Sequence, residues 1–319
     1  MASYSDFYRR SIEDSEGFWA EQARLIDWQK APARILDASR PPFVRWFSGG
    51  TTNLCHNALD RHLAARGDQP ALIHVSTETG TERSYSFREL HAEVQRTAAS
   101  LIELGVQRGD RVLIYMPMIP EAAFAMLACA RFGASHCVVF GGCASGSLAS
   151  RIEDAEPKVI VSADAGSRGG KVMPYKPLLD EAIRLSSHKP DAVLLADRGM
   201  VAMELMAGRD RLMGAMVRKH QQTEVPCVWL ESSEISYTIY TSGTTGRPKG
   251  VQRDTGGYAV ALAASMKHIF DGRPGETYFS TSDIGWVVGH SYIVYGPLIA
   301  GMATIMYEGL PTQGLDGQP

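Results

Sequence analysis

Long apolar runs are missing from this 319-residue chain: none approaches the roughly 20 residues that span a bilayer as a helix. Charge of one sign is equally scarce. With 32 Lys+Arg against 35 Asp+Glu the formal net charge is −3, so nothing resembles the basic footprint of a nucleic-acid or anionic-membrane binder. The expected partners are small molecules, with no nucleic acid and no membrane. Cysteine is sparse, and Cys55, Cys129, Cys137, Cys143 and Cys227 form an odd, scattered set without metal-ligand spacing. They read as reduced packing residues. Residues 1–10 are polar and lack the apolar centre of a signal peptide, so the expected location is cytoplasmic. There is no internal repeat and no low-complexity segment. What remains is 45% hydrophobic residues, enough for a sizeable core in one large domain or two.

The most informative stretch is Tyr240-Thr241-Ser242-Gly243-Thr244-Thr245-Gly246-Arg247-Pro248-Lys249-Gly250-Val251. Residues 236–240 before it are β-branched and aromatic and read as a buried strand, whereas an apolar helical pattern resumes near Gly257. The stretch is therefore expected to be a loop between strand and helix. Its hydroxyls, glycines and lysine suit phosphate, because glycine admits backbone N–H groups, hydroxyls donate and the ammonium supplies charge. A Walker A loop is excluded, since Pro248 precedes Lys249 and Gly250 follows it where Ser or Thr is required. Taken alone, Gly-Thr-Thr-Gly is equally consistent with a flexible surface loop.

Elsewhere strand-like and helical segments alternate. Residues 71–75, 111–116, 137–140, 159–162, 192–195 and 228–230 read as strands, with helices at 147–155, 178–187 and 209–219. Ser86 and Glu89 form a capping box for a helix that stops at Gly105, and Pro120 opens another that Gly133 ends. This predicts an α/β fold, a largely parallel sheet covered by helices on both faces. Residues 1–65 carry few strand signals and hold the aromatic anchors Phe18, Trp19, Trp28 and Trp46, so a helical cap is expected there.

The twelve ordered positions from Tyr240 resemble the phosphate loop of the adenylate-forming enzymes, a superfamily that includes acyl-CoA synthetases and luciferases. Arg45-Trp46-Phe47-Ser48-Gly49-Gly50 and the 53–62 segment resemble the N-terminal extension of its acetyl- and propionyl-CoA synthetase branch. The resemblance implies ATP, Mg²⁺ and CoA as ligands, with Thr241, Ser242, Gly243, Thr244, Thr245, Gly246 and Lys249 on the ATP phosphates. It implies CoA on Arg168, Gly169, Gly170 and Lys171, although that Gly-rich segment read alone is more simply a solvated turn. Trp286, Val287, Val288 and His290 correspond to the family's acyl-pocket stretch, with Val288 and Thr312 also facing CoA. Read without the family, His290 is more simply a structural histidine. Val288 stands where acetate-specific members have Thr, and Lys171 where they have Arg. Propionate is therefore implied over acetate, with AMP-forming transfer to CoA.

The resemblance covers about the first half of such an enzyme: an extension over 1–65 and the first part of the adenylation domain over 66–319. The small C-terminal domain of the family is expected to be absent. On that reading the chain alone is weakly active or inactive, and a non-catalytic nucleotide- or CoA-binding remnant is the competing class.

Overall fold

The computed structural model describes residues 3–241 and 249–310. Two sheets organise it. The larger has seven strands in the spatial order Asp210–Leu212, Ala192–Ala196, Val159–Ala163, Arg111–Tyr115, Ser135–Val139, Ile235–Thr241 and Lys249–Asp254, and all neighbours are parallel except the last pair. The smaller has four strands, Thr277–Phe279, Ala303–Glu308, Pro70–Ser76 and Thr81–Ser86, parallel but for its last pair.

Alternation along the central strand explains why helices cover both faces. Val112 and Ile114 enter one core, with the helices Phe87–Glu103 and Pro120–Phe132, whereas Leu113 and Tyr115 enter a second core with Ser145–Ala155 and Tyr175–Leu185. Successive side chains point to opposite faces, and here both faces are dry. The helix ends follow the sequence. Ser86 Oγ accepts from the Glu89 N–H at 3.2 Å while the Glu89 carboxylate accepts from the Ser86 N–H at 2.8 Å. Gly133 closes the Pro120 helix in the left-handed region at φ 82°.

Several expectations are corrected. The 71–75 segment joins the smaller sheet, because Ala303–Glu308 from the far end of the described chain pairs beside it. Residues 36–46 form an antiparallel hairpin, Leu36–Arg40 with Phe43–Trp46, so the N-terminal part is not purely helical. Of the 228–230 segment only Leu230 is in a strand, Leu230–Glu231, antiparallel to Thr51–Thr52 and outside the large sheet. The Val228 carbonyl instead accepts from the Asn53 amide at 2.8 Å, and the same amide reaches Ala130 and Arg131 carbonyls, which ties the N-terminal segment to the core. The 209–219 helix begins only at Met213, since Asp210–Leu212 adds an edge strand. The 178–187 helix starts earlier, at Tyr175, because Pro177 is harmless in a first turn. Among the described residues no helix is long and apolar enough to cross a membrane.

The candidate site at the sheet seam

A cavity of about 430 Å³ opens where the carboxyl ends of the strands in both sheets meet. Met116, Gly141 and Arg168 come to it from the larger sheet, and Ser280, Asp283, Tyr307 and Glu308 from the smaller. Parallel strands place their following loops at one edge, so a cleft there is what the topology dictates. Tyr175 packs against Tyr115 at 4.8 Å and comes so close to Gly141 that a Cβ there would lie 2.1 Å from its hydroxyl. A side chain at 141 would force the Tyr175 hydroxyl to shift.

The Arg168 segment is a hairpin. Ala165–Arg168 pairs with Lys171–Pro174, and Gly169 and Gly170 form its two-residue turn at φ 61° and 74°, where an L side chain is strained. Arg168 and Lys171 face each other in register at the tip, and the Arg168 guanidinium lies 5.9 Å from the centre of the Phe140 ring. Asp283 lines the same cavity. Burial raises its carboxyl above the usual range, opposed in part by the Gly285 N–H at 2.7 Å and by the Arg168 charge.

Beneath the hairpin lies a buried ion pair. Arg198 meets Glu308 through two bonds of 2.8 and 2.7 Å, donates to the Ala165 carbonyl at 3.1 Å, and Ser76 Oγ adds a 2.7 Å bond to Glu308. A bidentate guanidinium–carboxylate pair thus joins the two sheets.

Trp286 lines the cavity while leaving 55% of its surface exposed. Val287 and Val288 follow on a short helical turn, and neither contributes to this cavity wall. His290, expected among the lining residues, is fully buried behind them. Its Nδ1 donates to the Trp286 carbonyl at 3.1 Å, its ring sits 4.5 Å from that of Tyr237, and burial pushes its pKa down to about 4. The histidine supports the Trp286 turn from below as a neutral ring.

The expected strand–loop–helix is corrected too. Residues 242–248 connect two antiparallel strands, with Thr241 and Lys249 paired at the base, and the helix Gly256–His268 begins only afterwards. Residues 250–254 pair along Ile235–Thr241 and so extend the sheet before the chain can turn. Ser242, Gly243, Thr244, Thr245 and Gly246 lie outside the described residues, as does Thr312.

Sequence reasoning missed Glu78, Arg198 and the role of Asp283. Only Asp283 carried a signal, its place just before Gly285-Trp286; the partners of the other two lie about 90 and 110 residues away. A second cluster brings Cys55, Cys227 and Asp60 within 4.8 Å, contrary to their dispersal in sequence. The Arg131 guanidinium fills it, bonding Asp60 at 2.8 and 2.9 Å and Cys55 Sγ at 3.5 Å, so it supplies the positive charge a metal would bring.

The family model described as AMP-binding enzyme matches residues 59–316, and that of the acetyl-coenzyme A synthetase N-terminus matches residues 4–58. Propionate–CoA ligase of Salmonella typhimurium is 62% identical over 97% of this chain and 49% of its own length. Acetyl-coenzyme A synthetase of Methylobacterium radiotolerans is 48% identical over 98% of this chain and 48% of its own. The solved acetoacetyl-CoA synthetase from Streptomyces lividans superposes with a TM-score of 0.88 at 28% identity, over 98% of this chain and 47% of that one. The chain spans about half the length of the curated relatives it matches.

Proposed function

From the premise that this chain belongs to the family of AMP-binding enzymes, we propose that it serves an AMP-forming short-chain acyl-CoA synthetase acting on propionate. Identity of 62% to a propionate–CoA ligase, against 48% to an acetyl-coenzyme A synthetase, supports propionate as the acyl donor. Residues 1–65 are read as the extension of the short-chain branch and 66–319 as the first part of the adenylation domain.

In this reading a propionate oxygen attacks the α-phosphorus of ATP, forming the mixed anhydride and releasing pyrophosphate. The CoA thiol then attacks the acyl carbon, its proton leaves to solvent, and AMP departs. The first step needs charge neutralisation and alignment more than a protein nucleophile. Thr241, Ser242, Gly243, Thr244, Thr245, Gly246 and Lys249 hold the ATP phosphates by this assignment. The hydroxyl-rich loop suits a hard cation, and Mg²⁺ bound with the nucleotide would neutralise phosphate charge there. Arg168 and Lys171 receive CoA, with Thr312 and Val288 nearby in the assignment, and Trp286 bounds the acyl group with Val287 beside it on the turn, although Val287 lies outside the described cavity wall.

The observation that carries this reading is the cavity itself: a guanidinium, Arg168, and an indole, Trp286, line one cleft at the carboxyl ends of both sheets. A polar anchor beside an apolar wall suits a ligand that is phosphate at one end and acyl at the other. The test is carboxylate-dependent ATP–pyrophosphate exchange by the protein at the length its native cells make. Exchange driven by propionate, with acetate about 10- to 200-fold poorer, is expected from one methylene of pocket discrimination. Hydrolysis of ATP without any carboxylate would sink the assignment. Val287→Trp should abolish propionate use while ATP binding survives.

A further inference from the structure

The tip of the Arg168 hairpin is held by a carboxylate from the other sheet. Glu78 sits in the turn between Pro70–Ser76 and Thr81–Ser86, and accepts from Ser167 Oγ at 2.6 Å and from the N–H groups of Gly169 and Gly170 at 2.5 and 2.8 Å. Two successive N–H groups converging on one anion is the arrangement by which backbone nests hold phosphate oxygens. Here the anion is internal. Burial opposes its charge, yet the bonds from Ser167, Gly170 and Gly169 outweigh that and keep the carboxyl below its usual range. Glu78 is therefore ionised at neutral pH.

Two consequences follow from the contact. The turn amides are already satisfied, so an incoming phosphate meets the side chains of Arg168 and Lys171, which stand opposite each other one residue away. A two-stranded hairpin with strands of four residues is also marginal by itself, so its aim depends on what braces it. Gly169 rests against Leu310, which a Cβ there would approach to 3.0 Å; the polar brace is Glu78.

We propose that Glu78 is a positioning residue for CoA recognition: it closes the Gly-Gly turn from across the sheet seam, fixes Arg168 and Lys171 at the cavity rim, and commits phosphate binding to their side chains. This rests on the reading of the hairpin as a CoA site. Because the brace is a carboxylate with three hydrogen bonds, amide or alanine at 78 frees the hairpin, and among the described residues those bonds reach only Ser167, Gly169 and Gly170.

The experiment compares Glu78→Gln, Glu78→Ala and Glu78→Asp with the unaltered protein at its native length, in two half-reactions. Expected for Gln and Ala is a KM for CoA raised about tenfold or more, the scale of losing one charge-assisted hydrogen bond, with propionate-dependent ATP–pyrophosphate exchange unchanged. Asp should recover part of the loss by restoring the charge. Hydrogen exchange of the 165–174 segment, read on this chain alone, should speed up at Gly169 and Gly170 in the Ala variant. An unaltered KM for CoA in the Gln and Ala variants overturns the proposal. So does a parallel fall of both half-reactions with the melting temperature, which is what a merely structural contact would give. An unaltered protein that turns over propionate and ATP but never consumes CoA overturns the functional reading instead, and the proposal with it.

Discussion

Two hairpins, both glycine-containing and both read from sequence as phosphate sites, stand at the same edge of the large sheet, yet the fold treats them differently. The Arg168 hairpin is braced at its tip by Glu78 and at its base by Arg198, which Glu308 in turn holds. Among the described residues, Lys249 and Thr241 form the exposed base of the other, at the end of an edge strand whose side chains mostly face water. A braced cation presents a fixed geometry to a ligand, whereas an exposed one is positioned by its backbone alone. The comparison teaches that glycine and lysine content suggests a phosphate site without saying how rigid it is; rigidity comes from partners distant in the chain.

The strongest break in that comparison is Glu308→Gln. It leaves Arg198 buried without its counter-charge, and the expected loss is about 3–5 kcal/mol of stability, seen as a lower urea midpoint at unchanged slope. Next is Lys249→Ala, which should lower propionate-dependent ATP–pyrophosphate exchange by about 10²–10³-fold, the scale for removing one group that stabilises charge in the transition state. The melting temperature should stay put, because Lys249 is exposed. A Lys249→Ala protein that lost stability instead would show that Lys249 supports the fold as well as the phosphate.

The layer behind the cavity wall can be probed by pH. His290 has its pKa pushed from 6.5 down to about 4 by burial, so the unfolded chain binds the proton first as acid is added. Its contribution to stability is complete above about pH 6.5 and is lost as pH falls through 4. His290→Gln should reduce the slope of the melting-temperature profile in that window, leaving the part that comes from His62, His136, His74 and His268, whose pKa values burial also lowers. The smallest effect is expected at the Gly-Gly turn. Gly170→Ala has open space around the new Cβ but must adopt φ 74°, which costs about 1 kcal/mol, measurable by denaturant titration. Gly169→Ala should cost more, since its Cβ also meets Leu310.

Local rules made much of this protein legible. The capping box at Ser86, the Pro120 start and the Gly133 stop are properties of a few neighbouring residues, and each stands where the sequence places it. The buried strands of the large sheet announced themselves as continuous apolar runs because both faces are covered. Family membership was legible for a similar reason: twelve contiguous positions around Gly243 carry it without any fold. Failures began where partners are remote. The 71–75 strand looked like its fellows, but its sheet was chosen by Ala303–Glu308, and the 36–46 hairpin lacks the apolar alternation that marks a half-buried strand.

By itself, then, the sequence determined the α/β class, the ends of its best helices and the chemistry available at each candidate segment, because backbone propensity, burial pattern and capping act over a few residues. Tertiary structure alone decided that the longer strands divide between two principal sheets, that their carboxyl ends meet in one cavity, that Trp286 lines it while His290 lies behind it, and that Glu78 and Glu308 span the seam. Those outcomes depend on contacts between residues about 90 to 230 positions apart, whose pairing is set by the packing of whole layers and leaves no local trace.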